Sequence, residues 1–167
     1  MYIPLSQLKK NSKRRKELKK FLRGFERRKV RGVDALAKKM NREAFTAIDC
    51  LKCANCCRTM APTFRKVEVA RIATHMGMSY DEYFKKFLFV DKDGDIINKK
   101  TPCQHLGSDN KCSIYDIRPS DCSGFPHTHK REFKEFIPET HIQNIDLCPA
   151  TYFVVEKMFE KINAGKG

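Results

Sequence analysis

Residues 50–57 read CLKCANCC, and they place four thiols within eight positions. A two-residue gap between cysteines lets the chain curl so that both sulfurs reach one metal ion at ~2.3 Å. A hydrophobic core has no need of this spacing, so metal binding is favoured over the simple burial of small apolar side chains. Together with the remaining cysteines, the predicted metal ligands are Cys50, Cys53, Cys56, Cys57, Cys103, Cys112, Cys122 and Cys148.

The same thiols suit two metals. Cys50, Cys53 and Cys56 have the spacing that opens a bacterial ferredoxin run, and Cys148-Pro149 supplies the remote Cys-Pro that completes such a cluster. These four would hold a [4Fe–4S] cluster and leave a second set of Cys57, Cys103, Cys112 and Cys122. Dividing residues 56 and 57 between two sites is reasonable if adjacent side chains project in different directions. Four thiolates suit tetrahedral zinc equally well, and mixed or bridged arrangements stay open.

The positive charge of the chain is concentrated at one end. Residues 1–45 hold 16 Lys and Arg against 4 Asp and Glu, so this segment carries +12 of the total net charge of +14. Apolar residues in the segment follow a helical period, which predicts two amphipathic helices within residues 12–45 and a break near Gly32.

The basic outer face of these helices could bind RNA or an acidic protein through residues 9–42. Phe21 and Phe25 are the only aromatic residues in the apolar stripe, so contact with nucleic acid would be made to phosphate rather than to bases. A basic face that contacts only solvent is the alternative.

The sequence favours a cytoplasmic protein. No run of 18 apolar residues is present, and the start of the chain has no apolar segment before its charges. An organellar presequence would also be basic, but such signals are poor in acidic residues, whereas Glu17 and Glu26 lie inside this segment. In a reducing cytosol, clustered cysteines more often bind metal or carry out redox chemistry than form disulfides.

Helical patterns continue beyond the cysteine cluster. Apolar residues predict a helix up to Gly77, and the Ser79–Glu82 pair is a capping box that opens a short helix through Phe87. Residues 87–97 read as a hairpin with its turn at 91–95, and residues 101–126 as irregular backbone held by ligands. A final helix is predicted from Pro149 to near Gly165.

The predicted fold is therefore mainly α. A small, irregular, metal-nucleated domain with a short hairpin is expected over residues 46–167, preceded by a basic amphipathic helical arm over residues 1–45 that packs its apolar stripe on that domain.

The chain resembles the CxxCxxCC cysteine-cluster family, which is described as chelating zinc or iron. The resemblance runs from about Phe45 to the C-terminal helix and rests on CLKCANCC, Cys103, the stretch CSIYDIRPSDC at 112–122, and Phe125-Pro126. The family often has a basic residue directly after the RPxxC cysteine, where this chain has Ser123. The resemblance implies metal chelation, and a related cysteine cluster occurs in the flagellin lysine N-methylase. It implies no particular activity for this chain.

Three classes of function fit these patterns: a metal-binding protein without catalysis, an iron-dependent enzyme that modifies proteins or peptides, and an RNA- or phosphate-binding accessory factor. The first is favoured because the sequence has no P-loop, dinucleotide-binding turn, nucleophile elbow or HExxH motif. His105, His127 and His129 could ligate metal, although histidines in polar loops are more often surface residues. The Arg118 guanidinium could offset the negative charge of a thiolate site.

Overall fold

The computed structural model describes residue 8, residues 10–26 and residues 30–164. Its described helices are α1 (Ser12–Glu26), α2 (Val33–Ala47), α3 (Cys50–Cys53), α4 (Asn55–Thr59), α5 (Lys66–His75), α6 (Tyr80–Phe87), α7 (Ser120–Gly124), α8 (Ile142–Leu147) and α9 (Pro149–Ala164). Two 3-10 turns, Tyr115–Ile117 and Phe133–Phe136, and a π-helical turn, Ile137–His141, complete the helical elements. The strands are β1 (Thr63–Phe64), β2 (Leu88–Val90) and β3 (Ile96–Asn98). The mainly α prediction is confirmed.

Contacts divide the chain into two compact units. Unit 1 contains residues 1–49 and 126–167, and unit 2 contains residues 50–125. The basic segment therefore groups with the C-terminal helices, and the expected functional division at residues 45 and 46 stays a prediction.

Unit 1 is a helical unit whose apolar stripes meet. Leu18, Leu22 and Phe25 of α1 are buried, as the periodicity predicted, and α2 and α9 contribute further buried residues. Gly32, where the sequence predicted a break, adopts a left-handed conformation with φ of 72° directly before α2. The predicted end of the last helix, Gly165, lies outside the described residues.

Some of the basic side chains of α1 form ion pairs within unit 1. Arg14 contacts Glu156 at 3.2 Å, and Arg15 contacts Asp146 at 2.8 Å; Lys19 pairs with the same Asp146. The charge on this side of α1 is thus offset by carboxylates of the C-terminal helices.

Unit 2 packs α5 and α6 against a three-stranded antiparallel sheet of order β1-β3-β2. The predicted hairpin is confirmed, and in its turn the Asp91 carboxylate accepts hydrogen bonds from the backbone N–H groups of Asp93 and Asp95, each at 2.9 Å. The capping box of α6 is also confirmed, with the Glu82 N–H donating to Ser79. Strand β1 has two residues and lies outside every predicted element.

A buried carboxylate joins two parts of unit 2. Glu68 of α5 is 1% exposed. It accepts hydrogen bonds from the Arg65 N–H at 2.9 Å, the Arg65 guanidinium at 2.8 Å and the Ser120 N–H at 2.9 Å. Burial raises the pKa of Glu68, but these donors outweigh burial and lower it to about 2, so the carboxylate is ionised at neutral pH. Glu68 thereby holds the start of α7, the helix that carries Cys122.

Glu68→Ala is expected to lower the free energy of unfolding by about 1–3 kcal/mol at neutral pH, because it leaves backbone donors without their acceptor. The folded-state pKa lies below the ordinary 4.5, so the contribution of Glu68 is full above about pH 4.5 and is lost as the pH falls towards about 2. Urea unfolding at several pH values measures the difference between wild type and variant. Glu160→Ala, which removes an exposed carboxylate paired with Lys157, serves as the control. An equal effect of Glu68→Ala at pH 7 and pH 2 would contradict this account.

Candidate metal centre

The CLKCANCC stretch forms two short helices rather than one long one. Ala54 separates α3 from α4 and adopts a left-handed conformation with φ of 46°. Its N–H donates to the Cys50 carbonyl at 2.8 Å, and its own carbonyl accepts from the Arg58 N–H at 3.2 Å. This reversal starts a new helix that carries both Cys56 and Cys57.

The sulfurs of Cys56 and Cys57 lie 4.0 Å apart. Two thiolates on one tetrahedral zinc ion, with zinc–sulfur distances of ~2.3 Å, would be separated by about 3.8 Å. The sulfurs of these adjacent residues are therefore close together, whereas the sequence argument expected the side chains to project in different directions; the division into two sites stays a prediction. As they stand, they have the separation expected for ligands of one ion.

The second group of cysteines is held near the first by backbone hydrogen bonds. The Cys103 N–H donates to the Cys57 carbonyl at 2.8 Å. A β-bridge between Leu106 and Cys112 then closes the loop that follows Cys103. Cys57, Cys103 and Cys112 are thus brought into one region of unit 2 although 55 positions separate the first from the last.

The causes of the Cys122 pKa shift indicate that four thiols lie in this region. Burial raises the pKa of Cys122, the charge of Asp121 raises it further, and smaller contributions come from Cys103, Cys57 and Cys112. Burial is also the main cause of the raised pKa values of Cys103 and Cys112. For Cys57, the hydrogen bond with Cys56 is the main cause and burial the next. Without a cation, these thiols are therefore held in their neutral form.

Other groups favour the thiolate form. The backbone N–H groups of His105 and Ile114 lower the pKa values of Cys103 and Cys112, respectively, against the effect of burial. The charge of Arg118 also lowers the pKa of Cys112, as the smallest of the causes, and the role of this guanidinium at a metal-bound thiolate stays a prediction. Donors directed at sulfur are typical of the surroundings of metal-bound thiolates.

The region fits a soft or borderline cation by the type of its donors, by their crowding and by the hydrogen bonds made to sulfur. As the side chains stand, no three His, Cys, Asp or Glu residues of the described segments converge closely enough to hold an ion. Binding would therefore require thiol side chains to turn towards a shared point.

Seven of the eight predicted ligands lie in unit 2, and Cys148 lies in unit 1. Cys50 is exposed, and Cys53 and Cys56 are half-buried. Cys148 is buried at the junction of α8 and α9, where its N–H donates to the Asn144 carbonyl at 2.7 Å.

Two of the three histidines that the sequence singled out, His105 and His127, are buried rather than at the surface. His105 is a buried residue of unit 2, and its Nε2 lies 2.6 Å from the Tyr83 hydroxyl oxygen. Burial lowers its pKa to about 4, so the ring is neutral. His127 is buried, and His129 is exposed. His141, which the sequence did not single out, is fully buried with its ring stacked on Phe133 at a centroid distance of 4.3 Å.

Sequence reasoning also missed a polar link between the two cysteine segments. The Arg58 guanidinium donates to the Cys53 carbonyl at 3.1 Å and to the Asn110 side chain. The Asn110 amide in turn donates to the Lys52 carbonyl at 3.4 Å. No local signal reveals this link, because Arg58 and Asn110 are 52 positions apart.

No helix of the described chain is long and apolar enough to cross a membrane.

Comparison with known proteins identifies one family. The CxxCxxCC family, whose description reads "putative zinc- or iron-chelating domain", matches residues 49–140. An uncharacterized protein of Methanocaldococcus jannaschii is 33% identical over 85 residues, which cover 49% of this chain and 46% of that protein. The chain thus spans less than half the length of this relative. No solved structure matches the chain. The family match contains seven of the cysteines, and Cys148 lies beyond its end.

Arg58→Met is expected to weaken zinc retention by about 10–100-fold, the usual cost of losing a group that positions metal ligands. The substitution keeps an unbranched side chain but removes the donors to Cys53 and Asn110. Competition with a chelator of known affinity measures the change. Arg42→Met, which changes an exposed residue of α2, should leave zinc affinity unaltered. Equal affinities of the two variants would show that the link does not position ligands.

Proposed function

The chain belongs to the CxxCxxCC family, and on that premise we propose that it binds zinc or iron through the thiolates of its cysteine cluster. The observation that carries the proposal is the crowding of Cys57, Cys103, Cys112 and Cys122, each of which has a raised thiol pKa. Thiols that oppose each other's ionisation become thiolates together when a cation offsets their charge. A bound cation would offset the repulsion between the thiolate charges. The backbone N–H groups that lower the pKa values of Cys103 and Cys112 also favour the thiolate form.

We assign the eight cysteines to two sets. Cys57, Cys103, Cys112 and Cys122 form a four-thiolate site that suits zinc or iron. Cys50, Cys53, Cys56 and Cys148 form the second set, in which ferredoxin-like spacing and the Cys-Pro sequence support a [4Fe–4S] cluster. The 4.0 Å separation of the Cys56 and Cys57 sulfurs supports a competing arrangement, in which both ligate one centre.

The proposed role is metal binding without catalysis: storing or sensing zinc or iron, or using the metal to stabilise the fold. The cytoplasm is the proposed location, because a reducing compartment keeps free thiols available for metal. Bound metal would supply folding energy to unit 2, whose segment 101–126 has little regular structure of its own.

A second candidate function rests on α1. Five exposed cations, Lys10, Lys13, Lys16, Lys20 and Arg23, lie on or just before this helix. In the part of the chain that the structure describes, none of the five pairs with a carboxylate, unlike Arg14, Arg15 and Lys19. The five residues, here called the basic stripe, follow a helical spacing and extend over about 20 Å at 1.5 Å per residue.

RNA is the proposed partner of the basic stripe. A membrane is disfavoured because the apolar residues of α1 are already buried in unit 1 and cannot enter lipid. An acidic protein is disfavoured because lysine, which supplies four of the five cations, is depleted at protein interfaces. The lysine ammonium group binds phosphate as a compact positive charge. The narrow major groove of A-form RNA brings two rows of phosphates close together.

Metal analysis of anaerobically purified protein tests the main proposal. Protein with a [4Fe–4S] cluster should be brown, and Cys148→Ser should bleach it while leaving the second metal in place; Cys122→Ser should do the reverse. A colourless protein that contains only zinc after iron-supplemented expression would refute the cluster and leave thiolate zinc sites. Loss of all metal from either variant would favour a shared or bridged centre.

Chelation provides the control for this experiment. Removing metal should lower the melting temperature of the wild-type protein, since the metal contributes folding energy. Protein that is free of metal as purified and melts at the same temperature with and without chelator would contradict the proposed function.

RNA binding by the basic stripe should weaken steeply as salt rises and should depend little on base sequence, because counterion release would drive it. Replacing Lys13, Lys16 and Lys20 with Gln should weaken binding to duplex RNA at low salt and reduce the slope of log affinity against log salt. Gel-shift or anisotropy titrations over a salt series measure both quantities. Lys157→Gln, on α9, is the matched control. Equal slopes for wild type and the triple variant would remove the RNA candidate.

A further inference from the structure

Residues 126–141 of unit 1 form an irregular segment that lies between the cysteine region and the C-terminal helices in the chain. The segment contains a 3-10 turn and the π-helical turn Ile137–His141. Two of its non-glycine residues, His127 and Glu132, have left-handed backbones with φ of 66° and 60°. Such conformations are less stable than an α-helix, so this segment is expected to open at a lower free-energy cost than the regular helices of unit 1.

An aromatic cluster packs the segment into unit 1. His141 is fully buried, and its ring stacks on Phe133 at a centroid distance of 4.3 Å and lies 6.0 Å from the Phe136 ring. His127, which is 6% exposed, stacks on Phe136 at 5.8 Å. Phe133 and Ile137 are also fully buried. Two ionisable rings therefore take part in packing that apolar residues would otherwise provide.

The surroundings of His141 suit the neutral ring. Neither ring nitrogen makes a hydrogen bond of ordinary geometry with a described residue. Burial is the main cause that lowers the pKa of His141, and the charge of His127 lowers it further. A backbone group of Phe133 acts in the opposite direction but is outweighed, so the pKa lies at about 4. An imidazolium ring at this position would lose hydration without gaining a carboxylate partner.

The carboxylates on the elements packed against the segment have other partners. Asp146 of α8 pairs with Arg15 and Lys19 of α1. Asp34 of α2 accepts hydrogen bonds from the backbone N–H groups of residues 132 and 133, at 2.9 and 3.0 Å. Lys38 of α2 is exposed. The charged side chains of the segment itself are exposed or half-buried: Lys130, Arg131, Glu132, Lys134, Glu135 and Glu139.

We propose that residues 126–141 form an acid-opened flap of unit 1, which is released when the buried His141 ring takes up a proton. In the closed state the neutral ring packs on Phe133. A protonated ring regains its hydration by leaving the cluster, and the irregular segment that carries it leaves at the same time. The opening is reversible, because it involves the binding of a proton and breaks no covalent bond. It does not depend on the proposed metal binding.

The direction of the pH effect follows from the pKa of His141. In the closed flap this pKa lies below the ordinary 6.5, so the closed state has its full stability above about pH 6.5 and loses it as the pH falls towards about 4. With one proton taken up at His141, a change from pH 7.5 to pH 5 should raise the opening equilibrium constant of the flap about 30-fold.

Amide hydrogen exchange of the full-length protein measures this constant, after correction for the intrinsic effect of pH on exchange. His141→Phe keeps a ring that can stack on Phe133 but cannot take up a proton, so its flap should open to nearly the same extent at both pH values. His129→Gln, which removes the exposed histidine of the flap, is the matched control and should keep the wild-type pH dependence. Any release of metal from the cysteines at pH 5 would affect all three proteins alike.

Equal pH dependence in wild type and His141→Phe would overturn the proposal. Exchange of the flap and α9 at the same rate at every pH would also overturn it, because the whole of unit 1 would then be opening. Should His141→Phe not fold, the NMR titration of the His141 ring in the wild-type protein decides. Protonation of this ring near pH 6.5 while the flap stays protected from exchange would contradict the proposal, whereas protonation that accompanies loss of protection would support it.

Discussion

The main constraint on the cysteine region of unit 2 is that thiols in a partly buried space cannot ionise together unless a cation offsets their charge. Cys57, Cys103, Cys112 and Cys122 come from three separate stretches of the chain, and each has a raised thiol pKa. Burial disfavours the charged form of every thiol, so the four thiols stay neutral in the absence of a cation. The backbone N–H groups of His105 and Ile114 and the charge of Arg118 act in the opposite direction and lower the pKa values of Cys103 and Cys112.

Polar contacts join these stretches, in addition to the apolar packing of Ile114 and Ile117 in the core of unit 2. Glu68 fixes the start of the helix that carries Cys122, and the Arg58–Asn110 link joins the CLKCANCC segment to the loop before Cys112. Both contacts bring a side chain to groups about 52 positions away. Contacts of this kind fix the distances between segments that have little regular structure. A metal ion requires its ligands to be held at defined positions.

Local signals predicted the regular elements well, whereas contacts between distant residues could not be predicted. Gly77 and the Ser79–Glu82 capping box act within one helical turn, so the sequence alone placed the boundaries of two helices. Strand β1 exists only because Phe64 pairs with Ile96, and no periodicity appears in two residues.

The cysteines themselves were identifiable from their spacing, but their directions were not. Alanine rarely adopts a left-handed conformation, so this conformation of Ala54 could not be predicted from its residue type. It determines the directions in which the Cys56 and Cys57 side chains project. The burial of His105 and Asn98 likewise follows from the packing of unit 2 rather than from their sequence neighbours.

The division of the chain has a consequence for its synthesis. Unit 2 is one continuous stretch, whereas unit 1 is assembled from residues on both sides of it. On a ribosome, every residue of unit 2 is made before residue 126, and at about 5–20 residues per second the rest of unit 1 follows several seconds later. The cysteines of residues 50–122 thus emerge while α1 and α2 still lack the helices on which they pack. The nascent chain would therefore encounter metal ions when the seven cysteines of residues 50–122 have been synthesised but Cys148 has not.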